Sequence, residues 1–558
     1  MKSLRFFVVA LVVALWLGGC LPNGTTPGNN PLTDLFLAPN RTPTPFQPVE
    51  WTPVPVVRPD FTPAPALPTG QPITIWLPDA LAPYAVLPPN LSLAPTPDSA
   101  PLYLLPNRAQ PMVWWTYALV APFYELERGI SFDEVRQRWN AGTLLMSPET
   151  RQMLAAYWGE PNSTDDNIRP AAELIDIAWD LGAWAIVPFD QLVPRWKVLT
   201  VDGISPLATD FTQETYPLSI PLTMQGEANL VRAIEAIYAP TAGNPILPAS
   251  NRDPAKLTRV VMTGVTALVR ATAWTMENQG ILYPARDIGD WLRNADITHV
   301  SNEVPFAENC PFPNPVQAGV TFCSSPRYLD LLTDVSTDVV ELTGDHFHDW
   351  GREAMLYTLD LYDEVGLPYY GGGATYDEGK QATLLEHNGN QIAFIGCNGK
   401  RGGFAQASAT NPGSVACDIP WVTGEIARLT ADGYLVIATF QHFEYYSYAF
   451  PNESKLDFQA VIDAGAAIAS GSQAHHPHGF EFRGMGMIHY GLGNLFFDQY
   501  GLATGTELAF IDRHIIYDNQ HISTELLGIR FEDFARSRPM TESEFRTLLQ
   551  NTFAGSGW

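Results

Sequence analysis

The sequence predicts an α/β protein made of two successive α/β units, a smaller one followed by a larger one. Three observations predict it. Of 558 residues, 46% are apolar and only 16% charged, which is ample for buried cores and excludes general disorder. Short β-rich runs alternate with helical stretches that carry their own start signals, the pattern of strands joined by helical crossovers. Stretches rich in proline, alanine, asparagine and glycine punctuate the chain and separate its blocks.

Taken in order, Lys2 and Arg5 flank the start of an unbroken apolar run from Phe6 to Leu17, and Leu17-Gly18-Gly19-Cys20 follows. The run is too short to span a bilayer, which takes about 20 residues, so residues 1–20 are an export signal. The Leu-Gly-Gly-Cys ending resembles a bacterial lipobox. That resemblance implies a lipidated Cys20 at the mature N-terminus and an extracytoplasmic protein anchored to the cell membrane; ordinary secretion is the alternative. Residues 21–70 hold 13 prolines, as expected of an extended tether.

The first α/β unit is expected over 71–239. It opens with a strand at 73–77. Ser131-Phe132-Asp133-Glu134 is a capping box opening a helix, and Ser147-Pro148-Glu149 opens another with proline in its first turn. Strands follow at 183–189 and 196–201, then a helix at 229–238. Gly129-Ile130-Ser131-Phe132-Asp133-Glu134-Val135, Ile186-Val187-Pro188-Phe189, Val201-Asp202-Gly203-Ile204-Ser205-Pro206 and Tyr216-Pro217-Leu218 resemble pieces of type II periplasmic substrate-binding proteins, without a clear anion-binding loop. Residues 239–256 are expected to be a linker.

The second unit is expected over 257–558. Strands are expected at 258–262, 297–300, 339–343, 391–396, 434–440, 466–469 and 487–490. Helices lie between them at 287–294, 353–365 and 456–464. This alternation predicts a largely parallel sheet.

Lys and Arg number 32 against 59 Asp and Glu, a formal charge of −27. That excludes a nucleic-acid binder, which needs a clustered basic surface. Setting Cys20 aside leaves Cys310, Cys323, Cys397 and Cys417, an even set that suggests two disulfides in an exported protein. Pairing of sequence neighbours is the simplest of three connectivities. The spacings are far too long for a zinc ribbon.

Chemistry-bearing residues collect just after the expected strands, where α/β sheets build their sites. One such loop holds Gly344-Asp345-His346-Phe347-His348-Asp349, a second Gln441-His442-Phe443-Glu444, a third Gly471-Ser472-Gln473-Ala474-His475-His476-Pro477-His478, and a fourth Ser301-Asn302-Glu303. Carboxylates and imidazoles delivered from four strand ends suit a divalent metal such as Mn, Fe or Zn. Alone, His346 beside Asp345 would be an ordinary loop pair, and His442 equally a capped strand-end histidine. Three imidazoles among His475 to His478 have little structural use.

At these residues the sequence resembles the bacterial capsule-synthesis CapA (poly-γ-glutamate biosynthesis) family, whose domain is related to the calcineurin-like metallophosphoesterases. Asn302-Glu303 matches its Asn-x-Glu step loosely, and Gly344-Asp345-His346-Phe347-His348-Asp349-Trp350-Gly351 matches its Asn-Asn-His-x-x-Asp-x-Gly step. Gly371-Gly372-Gly373, His442-Phe443-Glu444, His476-Pro477-His478 and Tyr490-Gly491-Leu492-Gly493-Asn494-Leu495-Phe496 follow in the family's order. The resemblance implies a two-sheet αββα sandwich, with Glu303, Asp345, His442, His476 and His478 as metal ligands and His346, poised by Asp349, as the acid. Gly264-Val265 stands where the family has Gly-Asp, so its first carboxylate is missing. The inserted Gln473-Ala474-His475 leaves open whether His475 or His476 faces the metal. Two functions follow: a metal-dependent hydrolase or transferase acting on a cell-surface polymer, or an envelope polymer- or solute-binding protein with a degenerate metal site. Arg352, Lys380, Lys400 and Arg401 are candidates for a basic groove toward an anionic polymer.

Overall fold

A computed structural model describes Leu67 and residues 72–558 except 163–166, 401–404 and 500. The segment expected to be an export signal, Cys20 and almost all of the expected proline-rich tether lie outside the described residues. Residues 64–558 form one compact unit. Among the described residues, no helix is long and apolar enough to cross a membrane.

Two sheets face each other in the C-terminal half. The first takes its parallel part from Tyr369–Tyr370, Val339–Glu341, Ile297–Asn302 and Leu257–Met262, in that order. The second has Asn390–Asn398, Leu435–Gln441, Ile468–Ser470 and Gly486–His489 in parallel, with antiparallel edges at Thr383–His387 and Phe480–Arg483. The two-residue period of each strand sorts its side chains between layers. Val260 and Met262 point inward with Ile297 and Val339, against Phe394, Ile437 and Met487 of the other sheet. Val261, Val300 and Val340 point outward, onto Met355, Leu359 and Tyr362 of the helix Gly351–Val365. Ala393, Ile395 and Val436 of the second sheet meet Ile426 and Leu429 of Ile419–Ala431 and Val461 of Asn452–Asp463. The result is the helix–sheet–sheet–helix sandwich that the family resemblance implies.

The first sheet is less parallel than expected. Leu257–Met262 also pairs antiparallel with Leu508–Tyr517, which continues through Gln520–Glu532 to Arg536–Pro539. The N-terminal half is α/β as expected, with an eight-stranded mixed sheet around the long strand Val113–Pro122. Ser131 and Ser147 cap their helices by accepting from Glu134 N and Thr150 N.

The stretch expected as a linker is packed. Ile246 and Leu247 are buried in the N-terminal core, and Arg252 donates to the carbonyls of Pro206 and Ala208 at 2.6 Å each. Phe123 packs edge-on against Phe480, Phe482, Phe553 and Trp558, so the halves share a core. Cys310 bonds Cys323 and Cys397 bonds Cys417, the neighbour pairing.

Candidate metal centre

Glu303 follows the strand Ile297–Asn302, and Asp345 and His346 sit in the loop that follows Val339–Glu341. These strands are adjacent and parallel, so their C-terminal ends deliver the side chains side by side. One donor atom from each of Glu303, Asp345 and His346 lies within 4.8 Å of the others. Gly344 makes the approach possible, because a Cβ there would stand 2.8 Å from Glu303 Cα.

Three loops of the opposite sheet complete the cluster. Lys400, two residues past Asn390–Asn398, places Nζ 2.8 Å from Asp345 Oδ2 and 3.3 Å from Glu444 Oε1. Glu444 lies beyond Leu435–Gln441 and accepts from Tyr446 and from Gln499 Nε2 at 3.1 Å. His475 has its Nδ1 2.9 Å from Asn494 Oδ1 and its Nε2 3.3 Å from Glu303 Oε1. Its φ of 55° places it in the left-handed region, uncommon for a non-glycine residue, and turns its ring apart from the histidines that follow.

The electrostatics follow from three carboxylates meeting in a mostly buried place. Burial alone would lower His346, but its 2.7 Å contact with Asp349 and the charges of Glu303, Asp349 and Asp345 push it up to about 9. Burial likewise works against His475, and the charges of Glu303 and Glu444 outweigh it, raising the group. Burial would raise Asp345, yet the Lys400 ammonium, then His346 and Gln441, hold it at about 2. Glu444 is held at about 2 against burial by His475, Tyr446, Lys400 and Gln499. Glu303 is 1% exposed and neither of its carboxylate oxygens accepts a well-formed hydrogen bond. A buried, unsatisfied carboxylate facing a second carboxylate and an imidazole fits a divalent cation.

The matching motifs run across this same sandwich, and residues 259–499 match the family model described as bacterial capsule synthesis protein PGA_cap. Over these residues the sandwich domain is similar to the CapA capsule-synthesis family. The capsule biosynthesis protein CapA of Bacillus anthracis is 24% identical over 328 residues, covering 56% of this chain and 78% of that protein. The PGA biosynthesis protein CapA of Bacillus subtilis (strain 168) is 30% identical over 196 residues, 33% of this chain and 49% of that protein, so the chain spans about half of that relative. Among solved structures, a 5'-nucleotidase precursor from Thermus thermophilus overlaps with a TM-score of 0.31 at 10% identity, covering 54% of this chain and 58% of that one. The fold assignment rests on the layers described above.

Of the ligands expected from the CapA pattern, Glu303 and Asp345 come together. The histidines do not join them. His476 has Nδ1 2.8 Å from the Pro477 carbonyl and Nε2 3.1 Å from that of Thr504, and His478 has Nε2 2.7 Å from the Tyr445 carbonyl. Neither ring is among the donors that group with Glu303, Asp345 and His346. Burial lowers both groups, His478 to about 4, so they stay neutral. His442 packs beside Phe440 and Phe458, with Nε2 3.3 Å from Asp457 Oδ2 on the outer helix. His475 takes the place expected of the double-histidine pair. His346, expected as an acid poised by Asp349, keeps that contact and stands among the donors.

Val265, at the position of the missing CapA carboxylate, is fully buried among Ala267, Val269, Val304, Phe322 and Phe497. Of the basic candidates among the described residues, only Lys400 enters the cluster. Lys380 lies over the Tyr376 and Trp421 rings, and Arg401 is outside the described residues. Glu444 was visible as the acid of the His-acid motif; Gln441 and Asn398 carry no sequence signal beyond ending their strands.

Proposed function

We propose that this protein is a lipid-anchored, metal-dependent hydrolase or transferase of the CapA family, acting outside the cytoplasm on a surface polymer of the poly-γ-glutamate kind. The observation that carries it is the pair of unsatisfied, buried Glu303 oxygens grouped with Asp345 and His346. These three residues would hold a divalent ion of Mn, Fe or Zn. When bound, it supplies Lewis-acid polarisation of an ester or amide oxygen.

The chain's own residues prepare the site. Asp349 orients the His346 ring through Nδ1, and Asn494 does the same for His475. Gln441 Nε2 donates to Asp345 Oδ1 at 2.6 Å, which leaves this carboxylate little freedom to turn. Lys400 adds positive charge, which favours an anionic substrate group.

A second reading, an envelope binding protein that does not turn over its ligand, is favoured by Val265 and by the exposed Phe443, Tyr445 and Tyr446 flanking Glu444. Elemental mass spectrometry on the purified protein and its Glu303→Gln variant separates the cases. Bound Mn, Fe or Zn that is lost in the variant supports the metal site, and phosphodiester, amide and polyglutamate substrates are then assayed. Metal without turnover leaves the binding reading. No metal after reconstitution overturns the hydrolase.

A further inference from the structure

We propose that Lys400 is a resident cation of this cluster that limits it to a single divalent metal ion, an inference that rests on the metal-dependent reading above. Three observations carry it: where the ammonium sits, how it is held, and the charge it leaves.

Lys400 Nζ bridges Asp345 and Glu444 at 2.8 and 3.3 Å, the space between carboxylates that a second cation would occupy. The placement is built from the backbone outward. The Lys400 N–H donates to Asn398 Oδ1 at 2.9 Å, and the Asn398 amide donates to Thr343 O at 2.8 Å and to Gln441 Oε1 at 2.7 Å. Gln441 then donates to Asp345 Oδ1, while Gly399 N–H donates to the Gln441 carbonyl at 2.7 Å. One chain of amides thus locks both the ammonium and the carboxylate it meets. Lys400 is itself only 17% exposed at the side chain, so its charge is poorly screened.

The charges point the same way. Glu303, Asp345 and Glu444 bring three negative charges, and Lys400 removes one. A single divalent ion balances the remaining two, the His346–Asp349 pair adding no net charge, whereas two such ions would leave excess positive charge in a buried site. The acceptor atoms agree. Glu444 is occupied by Lys400, Tyr446 and Gln499, and the unsatisfied Glu303 oxygens remain for the ion.

Without the ammonium, Glu444, Asp345 and His475 become a second donor set. Native mass spectrometry of the full chain, loaded with Mn²⁺ and freed of excess, counts the ions. We expect one Mn²⁺ in the wild type, two in Lys400→Ala and Lys400→Gln, and one in Lys400→Arg, with circular dichroism verifying the fold of each. Two ions in the wild type overturn the proposal, as does a single ion in the folded alanine and glutamine variants. Should those variants fail to fold, the wild-type count alone decides. No ion in any folded protein instead overturns the metal-dependent reading on which the proposal rests.

Discussion

Replacing Gly344 by alanine tests whether the loop that carries Asp345 must touch Glu303. An alanine Cβ would stand 2.8 Å from Glu303 Cα, 2.9 Å from its Cγ and 3.0 Å from its carbonyl oxygen. Carbon contacts are comfortable only near about 3.5–4.0 Å, and two of these atoms belong to the backbone at a strand end. Either Glu303 or the Asp345 loop has to move. Overpacking of this kind costs about 1–3 kcal/mol. For a cooperative unit spanning residues 64–558, an unfolding entropy of about 2.1 cal/mol/K per residue converts that to a fall in Tm of about 1–3 °C. Metal affinity should suffer more, by about 10–100-fold, because the displaced groups are donors or their supports. Gly366→Ala is the matched control. Gly366 ends the helix Gly351–Val365 at φ 70° and a Cβ there meets nothing within 4 Å. It should cost about 1 kcal/mol through backbone strain alone and leave metal binding unchanged. Differential scanning fluorimetry and a chelator-competition titration read the two quantities. Wild-type metal affinity in Gly344→Ala, or an equal loss in Gly366→Ala, would refute the steric argument.

Two further predictions concern stability. His521 is buried between strands, and desolvation drives it down to about 3, opposed by the Ser523 carbonyl. The unfolded chain therefore takes up a proton near about pH 6.5 that the folded one refuses. This contribution is intact above about pH 6.5 and lost as pH falls toward about 3, roughly 2 kcal/mol of it by about pH 5. Urea unfolding of metal-free wild type and His521→Gln between about pH 7 and 5 should show that much less pH dependence in the variant, and identical slopes would sink the assignment. Phe123→Ala removes the ring shared by both halves and should cost about 3–5 kcal/mol. Calorimetry should still show one transition or resolve two at lower temperature, and an unchanged profile would mean that the shared aromatic cluster does not couple them.

The local elements were legible because their causes are local. Ser131 and Ser147 name their helix starts by side-chain chemistry, and the parallel strands declare themselves as short apolar runs because both faces are covered. The C-terminal strands Leu508–Tyr517 and Gln520–Glu532 escaped notice because His514, His521, Ser523 and Thr524 interrupt their apolar pattern. These side chains are buried with partners, His514 and His521 each 2.8 Å from Thr524 Oγ1 and the Ser523 hydroxyl donating to the Trp196 carbonyl. Burial of that kind depends on strand register, which no single strand reveals.

The site divides in the same way. By itself the sequence determined which strand ends carry carboxylates and imidazoles, because parallel strands separated by helices must deliver their following loops to one edge. Only the tertiary structure decided which of those groups meet. A left-handed turn at His475 sends one imidazole to Glu303 and leaves His476 and His478 donating to carbonyls. The Gly344 close approach and the Asn398–Gln441 amide chain bring Asp345 against both Glu303 and Lys400. Spacing along a chain sets which end of the sheet a side chain reaches; its direction and its partners are set by backbone dihedrals and by contacts between residues far apart in the chain, where sequence periodicity carries no information.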